Sequence, residues 1–289
     1  MDSDDNQIAA TIIVPTTGDR GPLLPYSIGS VLRQSIENIE IFVIGDGVND
    51  ETRRVIADLV SEDSRIRFFD HPKHESRGEP HRHEALKSAR GRIVCYLCDR
   101  DLMLPNHVSL MLDALREADF AHSLRVVKTR DGGYRARELL DLTNPKYRES
   151  GNPNVPLSMV AHTLAFYRHL PFGWRTTPPG TATDKYMWQQ FLDMDECRVA
   201  FVPVPTIIYL PRGSHPGLST AERLVDIRPL YDTYIRPGGG DRYLVDLLSN
   251  FFIKSYVHDK LRQVVRVLAL GLPVERIFLR TARRKSIGR

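Results

Sequence analysis

Cysteine is scarce: the 289-residue chain has three. That excludes a disulfide framework. Cys95 and Cys98 form a C-x-x-C, but no second ligand pair follows, so a zinc site is not expected. One lies within a predicted strand and the other at its end, and all three read as reduced thiols of a cytosolic protein. No uninterrupted apolar run is long enough to cross a bilayer. The first residues, Met1 to Gln7, are acidic and lack an apolar centre, so no secretory signal is expected there. Repeats and low-complexity tracts are missing. So is the aromatic-plus-basic pattern that would clasp nucleic acid, and no nucleic-acid partner is expected. The charge is only mildly one-sided at +4, which suits an anionic ligand or a lipid surface without requiring a polyanion.

What is present is a soluble composition, 42% hydrophobic and 26% charged, with length for one large domain or two small ones. Ile8 to Val14 is a continuous apolar run that fits a strand buried on both faces, stopped by Pro15. Leu24, Ile28, Val31 and Leu32 recur at helical spacing. Ile39 to Ile44 is a second strand, ending in Gly45-Asp46-Gly47. Asn49 or Asp50 caps a helix carrying Val55, Ile56, Leu59 and Val60. Ile66 to Phe69 is a third strand. A basic, His-rich loop from His71 to His83 leads to a helix around His83 to Ala89. Ile93 to Leu97 is a fourth strand, and Pro105 opens a helix with Val108, Met111, Leu112 and Leu115 on one face. Four alternations of strand and helix predict a doubly wound α/β layer. Ligands of such layers bind beyond the carboxyl ends of the strands. Those ends are Pro15-Thr16-Thr17, Gly45-Asp46-Gly47, the loop 71–83 and Asp99-Arg100-Asp101.

Two carboxylates at a buried strand end repel one another and call for a cation, most economically a divalent metal carrying a phosphorylated ligand; an acidic turn capping a helix is the plainer reading. The second half is less regular. Phe120 to Val127 and Tyr134 to Arg137 read as paired strands across Asp131-Gly132-Gly133. Ala161 to Arg168 reads as a strand or a helix start. The run Thr176 to Thr183 cannot be a regular element. Asp184 to Leu192 is a helix with Asp184 at or near its N-terminus, where it would also suit a cap. Phe201 to Leu210, with two prolines, is an edge strand or extended run. Arg236 to Gly240 marks a boundary, after which the pattern turns helical and ends in a basic tail. Three regions result: 1–110, 111–220 and 221–289. His71, His74, His81 and His83 have no metal-ligand spacing.

The segments Ile12-Ile13-Val14-Pro15-Thr16, Val43-Ile44-Gly45-Asp46-Gly47 and Cys98-Asp99-Arg100-Asp101 resemble, in order, family 2 glycosyltransferases of the GT-A fold. Thr183-Asp184-Lys185-Tyr186-Met187-Trp188 and His215-Pro216-Gly217 extend the likeness more thinly. The resemblance implies a Rossmann-like, mostly parallel sheet flanked by helices, here with a C-terminal helical extension. It implies inverting transfer from a UDP- or GDP-type sugar to a saccharide, lipid-linked or small-molecule acceptor. Position by position, it assigns Pro15, Thr16, Asp46, Arg77, Arg82, Asp99 and Arg100 to the donor, Asp184 to the general base, and Asp101 with His215 to Mn2+ or Mg2+. The chain departs from the pattern in three places. Gly45 replaces the first Asp of the nucleotide turn, Thr17-Gly18 replaces a common Tyr-Asn, and Arg100 stands where the register puts a metal-binding Asp. Either the acidic pair has slipped by one residue, or Arg100 supplies part of the metal's charge. These departures motivate a second reading, a nucleotide-sugar binder or scaffold that kept the fold without turnover. A nucleotidyltransferase is weaker, since no Gly-rich loop with a following Lys lies near the first strand. The expected location is the cytoplasm, with peripheral membrane contact through the basic C-terminal region and a homodimer both compatible with the sequence.

Overall fold

The computed structural model describes residues 7–124, 126–128, 134–136, 142–143, 155–210 and 218–236. His215 and the helical region expected beyond residue 236 lie outside them.

A seven-stranded sheet organises the chain, in the order Val199–Val202, Phe120–Ser123, Val160–Thr163, Ile93–Tyr96, Ala10–Gly18, Ile39–Val48, Ile66–His71. Its first four strands are β1 (Ala10–Gly18), β2 (Ile39–Val48), β3 (Ile66–His71) and β4 (Ile93–Tyr96). They pair in parallel. Helices α1 (Leu24–Val31), α2 (Asp50–Glu62) and α3 (Glu79–Lys87) lie between them in sequence. Ile12, Ile13, Val14, Phe42, Val43 and Ile44 are buried on β1 and β2. That is why these strands read as unbroken apolar runs rather than alternating ones.

Both central strands outrun their predicted ends. β1 continues through Pro15 to Gly18, paired with β2. The backbone of Ala9 and Ile13 bonds towards β4, so Pro15, two residues further, turns its donorless nitrogen to the same side. There β4 has already ended, and no ladder bond is lost. β2 likewise runs through Gly45-Asp46-Gly47 to Val48. Gly45 is fixed by packing, because a Cβ there would lie 2.9 Å from the Phe68 ring. α3 starts at Glu79, earlier than predicted, so His81, Arg82 and His83 are helical rather than in a loop. Asn49, not Asp50, caps α2 by accepting from the Thr52 N–H at 2.9 Å.

After β4 a two-residue strand, β5 (Leu102–Met103), precedes α4 (His107–Ala114). Pro105 therefore does not open that helix. Gln34 ties it instead, accepting from the Val108 N–H and donating to the Leu104 carbonyl. The predicted strand Phe120 to Val127 is split. β6 (Phe120–Ser123) joins the main sheet, while β7 (Val126–Lys128) pairs with β8 (Tyr134–Ala136) as the expected antiparallel pair. Residues 161–168 are both things foreseen: β9 (Val160–Thr163), antiparallel between β4 and β6, then α5 (Leu164–Tyr167). α6 spans Thr183–Leu192. The run Phe201 to Leu210 is not one strand: β10 (Val199–Val202) forms the edge of the sheet and ends before Pro203, and β11 (Ile207–Ile208) pairs with β5 beyond Pro205. α7 (Thr220–Tyr234) closes over Leu23, Leu102 and Ile208 in a second apolar cluster.

An aromatic group locks α6 to the sheet. The Trp188 ring meets Tyr96 of β4 at 5.5 Å, Trp174 at 5.4 Å and Phe120 of β6 at 5.7 Å, all edge-on. Trp174 Nε1 donates to the Tyr96 hydroxyl at 3.0 Å. Such rings bury large areas in few rotamers and fix orientation well.

Candidate functional site

The carboxyl ends of β1, β2 and β4 open onto one cleft of about 420 Å³, closed on its far side by Leu157 and the first turn of α6. Pro15, Thr16, Asp46, Arg77, Arg82, Asp99, Arg100 and Asp184 all line it. Side chains separated by up to 169 residues in the chain thus share one wall.

Each is held by its own local chemistry. Thr16 Oγ1 donates to Asp99 Oδ2 at 3.2 Å, linking the ends of β1 and β4. Asp46 is buried and accepts from the His74 N–H at 2.6 Å and from Lys73 Nζ, so it also organises the loop 72–78. Gly78 ends that loop in the left-handed region, φ 65°, with the Asp46 side chain 3.0 Å from where a Cβ would sit. His71 and His81 stack beside Asp46 at 4.2 Å. Arg82 is 5% exposed, lies 4.6 Å over the Trp174 ring, and donates from Nη2 to the Arg77 carbonyl at 2.7 Å. Its Nε and Nη1 have no hydrogen-bond partner.

Asp184 does not cap its helix. Ala182 holds the cap position, without a side-chain bond, while Asp184 Oδ2 accepts from the Leu157 N–H at 3.1 Å. Burial raises its pKa; Arg82 first, then the Leu157 bond, Arg77 and Arg100, pull the other way. The result is a carboxylate ringed by three guanidinium groups and more basic than an exposed Asp. Arg100 is anchored by Nε donating to the Leu210 carbonyl at 2.9 Å. Burial works against its charge, and Asp101 and Asp99 are among the neighbours that outweigh it, so its pKa is raised.

Asp101 sits elsewhere. It is fully buried, accepting from Ser158 Oγ at 2.6 Å and from the Leu210 N–H at 3.0 Å. Burial lifts its pKa to about 6. Both oxygens are engaged in holding the β4 turn, and it is not among the residues lining the cleft. Among the described residues no group of three His, Cys, Asp or Glu side chains is arranged to hold a metal ion. Of the acidic motif, Asp99 alone faces the cleft. The described donors therefore do not make a metal site. Cys98 also lines the cleft, but burial pushes its thiol up to about 12, leaving it protonated.

Several contributors had no signature. Glu79 is fully buried and accepts from the Arg77 N–H at 2.9 Å and from the hydroxyls of Ser76, Thr177 and Thr183. Ser158 donates to Asp101 and accepts from the Cys98 N–H. Its partners are 57 and 60 residues away, so nothing local marks it. Lys73 could have been suspected from the basic loop, and Glu79 from an acidic residue before Pro80 at a helix start.

Comparison with known proteins fits this geometry. The sequence profile described as Glycosyl transferase family 2 matches residues 11–173. The GalNAc(5)-diNAcBac-PP-undecaprenol beta-1,3-glucosyltransferase of Campylobacter jejuni is 30% identical over 112 residues, 39% of this chain and 36% of that protein. The chain thus spans only about a third of that relative's length. S. aureus TarS 1-349 in complex with UDP-GlcNAc superposes with a TM-score of 0.57 at 14% identity, covering 92% of this chain and 77% of that one. The mannosyltransferase PcManGT from Pyrobaculum calidifontis, in complex with GDP-Man and Mn2+, gives 0.52 at 14%, covering 90% and 80%. With the profile matching more than half of its length and its sheet following these structures, the chain belongs to glycosyl transferase family 2 and has the GT-A fold.

Proposed function

We propose that the protein moves a sugar from a nucleoside-diphosphate sugar of the UDP or GDP type to an acceptor hydroxyl, with inversion. The observation that carries this reading is the single cleft on which Asp46, Asp99, Asp184 and three arginines converge. Asp184 is the base. As the acceptor oxygen attacks the anomeric carbon, its proton passes to the Asp184 carboxylate. The bond from that carbon to the phosphate oxygen breaks, and its electron pair leaves with the diphosphate. Attack opposite the leaving group inverts the centre. Thr16, Asp46 and Asp99 orient the nucleoside end, and the arginines face the diphosphate. The exposed run 178–182 leads into the first turn of α6 beside the cleft, where it can help keep water out.

A bound Mn2+ or Mg2+ would supply Lewis-acid stabilisation of the departing phosphates. Since the described donors do not form its site, no step here passes through it. The acceptor is a saccharide, a lipid-linked saccharide or a small molecule. The name of the Campylobacter relative supports the lipid-linked class. No helix among the described residues is long and apolar enough to cross a membrane. A lipid-linked acceptor would be met peripherally, from the cytoplasmic side, through the basic C-terminal region.

The test is Asp184→Asn. Transfer should fall by about 10²–10⁴-fold, with nucleoside-diphosphate binding retained to within a few-fold. Turnover equal to wild type would refute the assignment of the base. Wild-type protein that binds donor yet neither transfers nor hydrolyses it across a broad acceptor panel would favour the binder reading, for which Gly45 and Arg100 are the motive.

A further inference from the structure

The diphosphate of a nucleotide sugar carries at least two negative charges, and the cleft adds Asp99 and Asp184 to its surroundings. Something must supply positive charge. Lys73 is already spent on Asp46. The remaining cations on the wall are Arg77, Arg82 and Arg100. Arg82 is the most telling. It is 95% buried, stacked on Trp174, and yet two of its N–H-bearing atoms lack any partner. Burying a guanidinium with unmet donors is costly unless an anion completes it. Arg100 is held from behind by Leu210, on the same turn whose Asp101 is sealed inside by Ser158 and Leu210. A divalent ion on one carboxylate contributes a net single positive charge. A fixed arginine contributes the same, with no ion to recruit.

Resting on the nucleotide-sugar reading above, we propose that Arg82 and Arg100, with Arg77 at the rim, take the place of a divalent metal in neutralising the diphosphate. The site then binds its nucleotide without metal. Each guanidinium presents planar, directional donors to phosphate oxygens, geometry that an ammonium cannot reproduce. The same three groups oppose the effect of burial on Asp184, so one cluster serves both ends of the reaction. When the diphosphate arrives it draws on that positive field, and Asp184 becomes more basic as the donor fills the site.

The experiment is isothermal titration of the chelator-stripped full chain with UDP, GDP and inorganic pyrophosphate, in EDTA and then in Mn2+. At least one nucleoside diphosphate should bind in EDTA with a Kd within a few-fold of that in Mn2+. Arg100→Gln and Arg82→Gln should each weaken it roughly tenfold or more, as loss of a charge-assisted pair predicts. Binding of the matching nucleoside, which has no phosphates, should be unchanged in both. Arg77 is exposed and faces the cleft, so Arg77→Gln supplies a variant that leaves the buried framework untouched, and its effect should be smaller but in the same direction. Binding that appears only with Mn2+ overturns the arginine proposal alone. So does an Arg100→Gln variant that melts like wild type and binds the diphosphate equally well. Absence of nucleoside-diphosphate binding under both conditions overturns the nucleotide-sugar reading and the proposal with it.

Discussion

Glu79 offers the most direct test of how the cleft is built. It sits at the first position of α3 with no exposed surface, and its carboxylate gathers the loop 76–78, Thr177 and the start of α6. Burial alone would raise its pKa. Bonds from its own and Arg77's backbone N–H groups and from Thr177, with Arg82 nearby, instead bring it down to about 2 from an ordinary 4.5. At about 1.36 kcal/mol per pH unit that gap is worth roughly 3 kcal/mol, an upper figure that water around the site would trim towards about 2. A depressed carboxylate contributes stability above its unfolded pKa and loses it as pH falls through its folded one. The contribution is therefore complete above about pH 4.5 and disappears towards pH 2. Glu79→Gln keeps the shape but not the charge, so urea unfolding at pH 7 should show it less stable by about 2–3 kcal/mol. Repeating the titration at pH 4 and then 3 should shrink the difference steadily. Against a domain stability of about 5–15 kcal/mol the effect is easily measured. A difference under about 1 kcal/mol at pH 7, or one that does not change with pH, would show that the carboxylate is not the hub described.

Two further outcomes follow from the same geometry. Because burial raises the Asp184 pKa and Arg82 is the largest opposing influence, the acid limb of the kcat/KM profile should lie above the ordinary Asp range and move to higher pH in Arg82→Gln; a profile flat through the acid range would contradict Asp184 as base. Gly91 leaves no room for a side chain, since a Cβ would fall 2.2 Å from the Thr11 nitrogen, where Thr11 Oγ1 also accepts from the Gly91 N–H. Gly91→Ala should therefore cost several kcal/mol, about 3 or more, or block folding, as judged by thermal melting; a shift of only a degree or two would refute that packing.

The sheet was legible because β1 and β2 bury both faces and so show unbroken apolar runs. The convergence of strand ends followed from the topology of parallel layers, which is why Asp46 and Asp99 could be assigned to one crevice from sequence, whereas Asp184, on a helix start, was placed there only by the family resemblance. The ends of the strands were not legible. Pro15 stops a strand only where its missing donor faces a partner, and here the partner strand is too short. Which carboxylate of Asp99-Arg100-Asp101 faces the ligand was also hidden, because it depends on Ser158 and Leu210, which reach the turn from far along the chain. Asp184 beside Thr183 looks like a cap in sequence, and only the fold shows Ala182 in the cap position and the Asp184 carboxylate turned to the Leu157 N–H. The buried Glu79 shows the same limit: its donors come from two loops about a hundred residues apart.

The mounting of α6 sets what variation the protein can absorb. Its inner face is clamped by rings from three parts of the chain, whereas the run just before it, 178–182, is open to solvent and touches little. Residues there other than Gly180, whose φ of 78° favours glycine, can be exchanged at little thermodynamic penalty while Asp184 keeps its place. A library randomised over the other four positions should therefore leave the thermal melting and the mounting of the helix close to wild type.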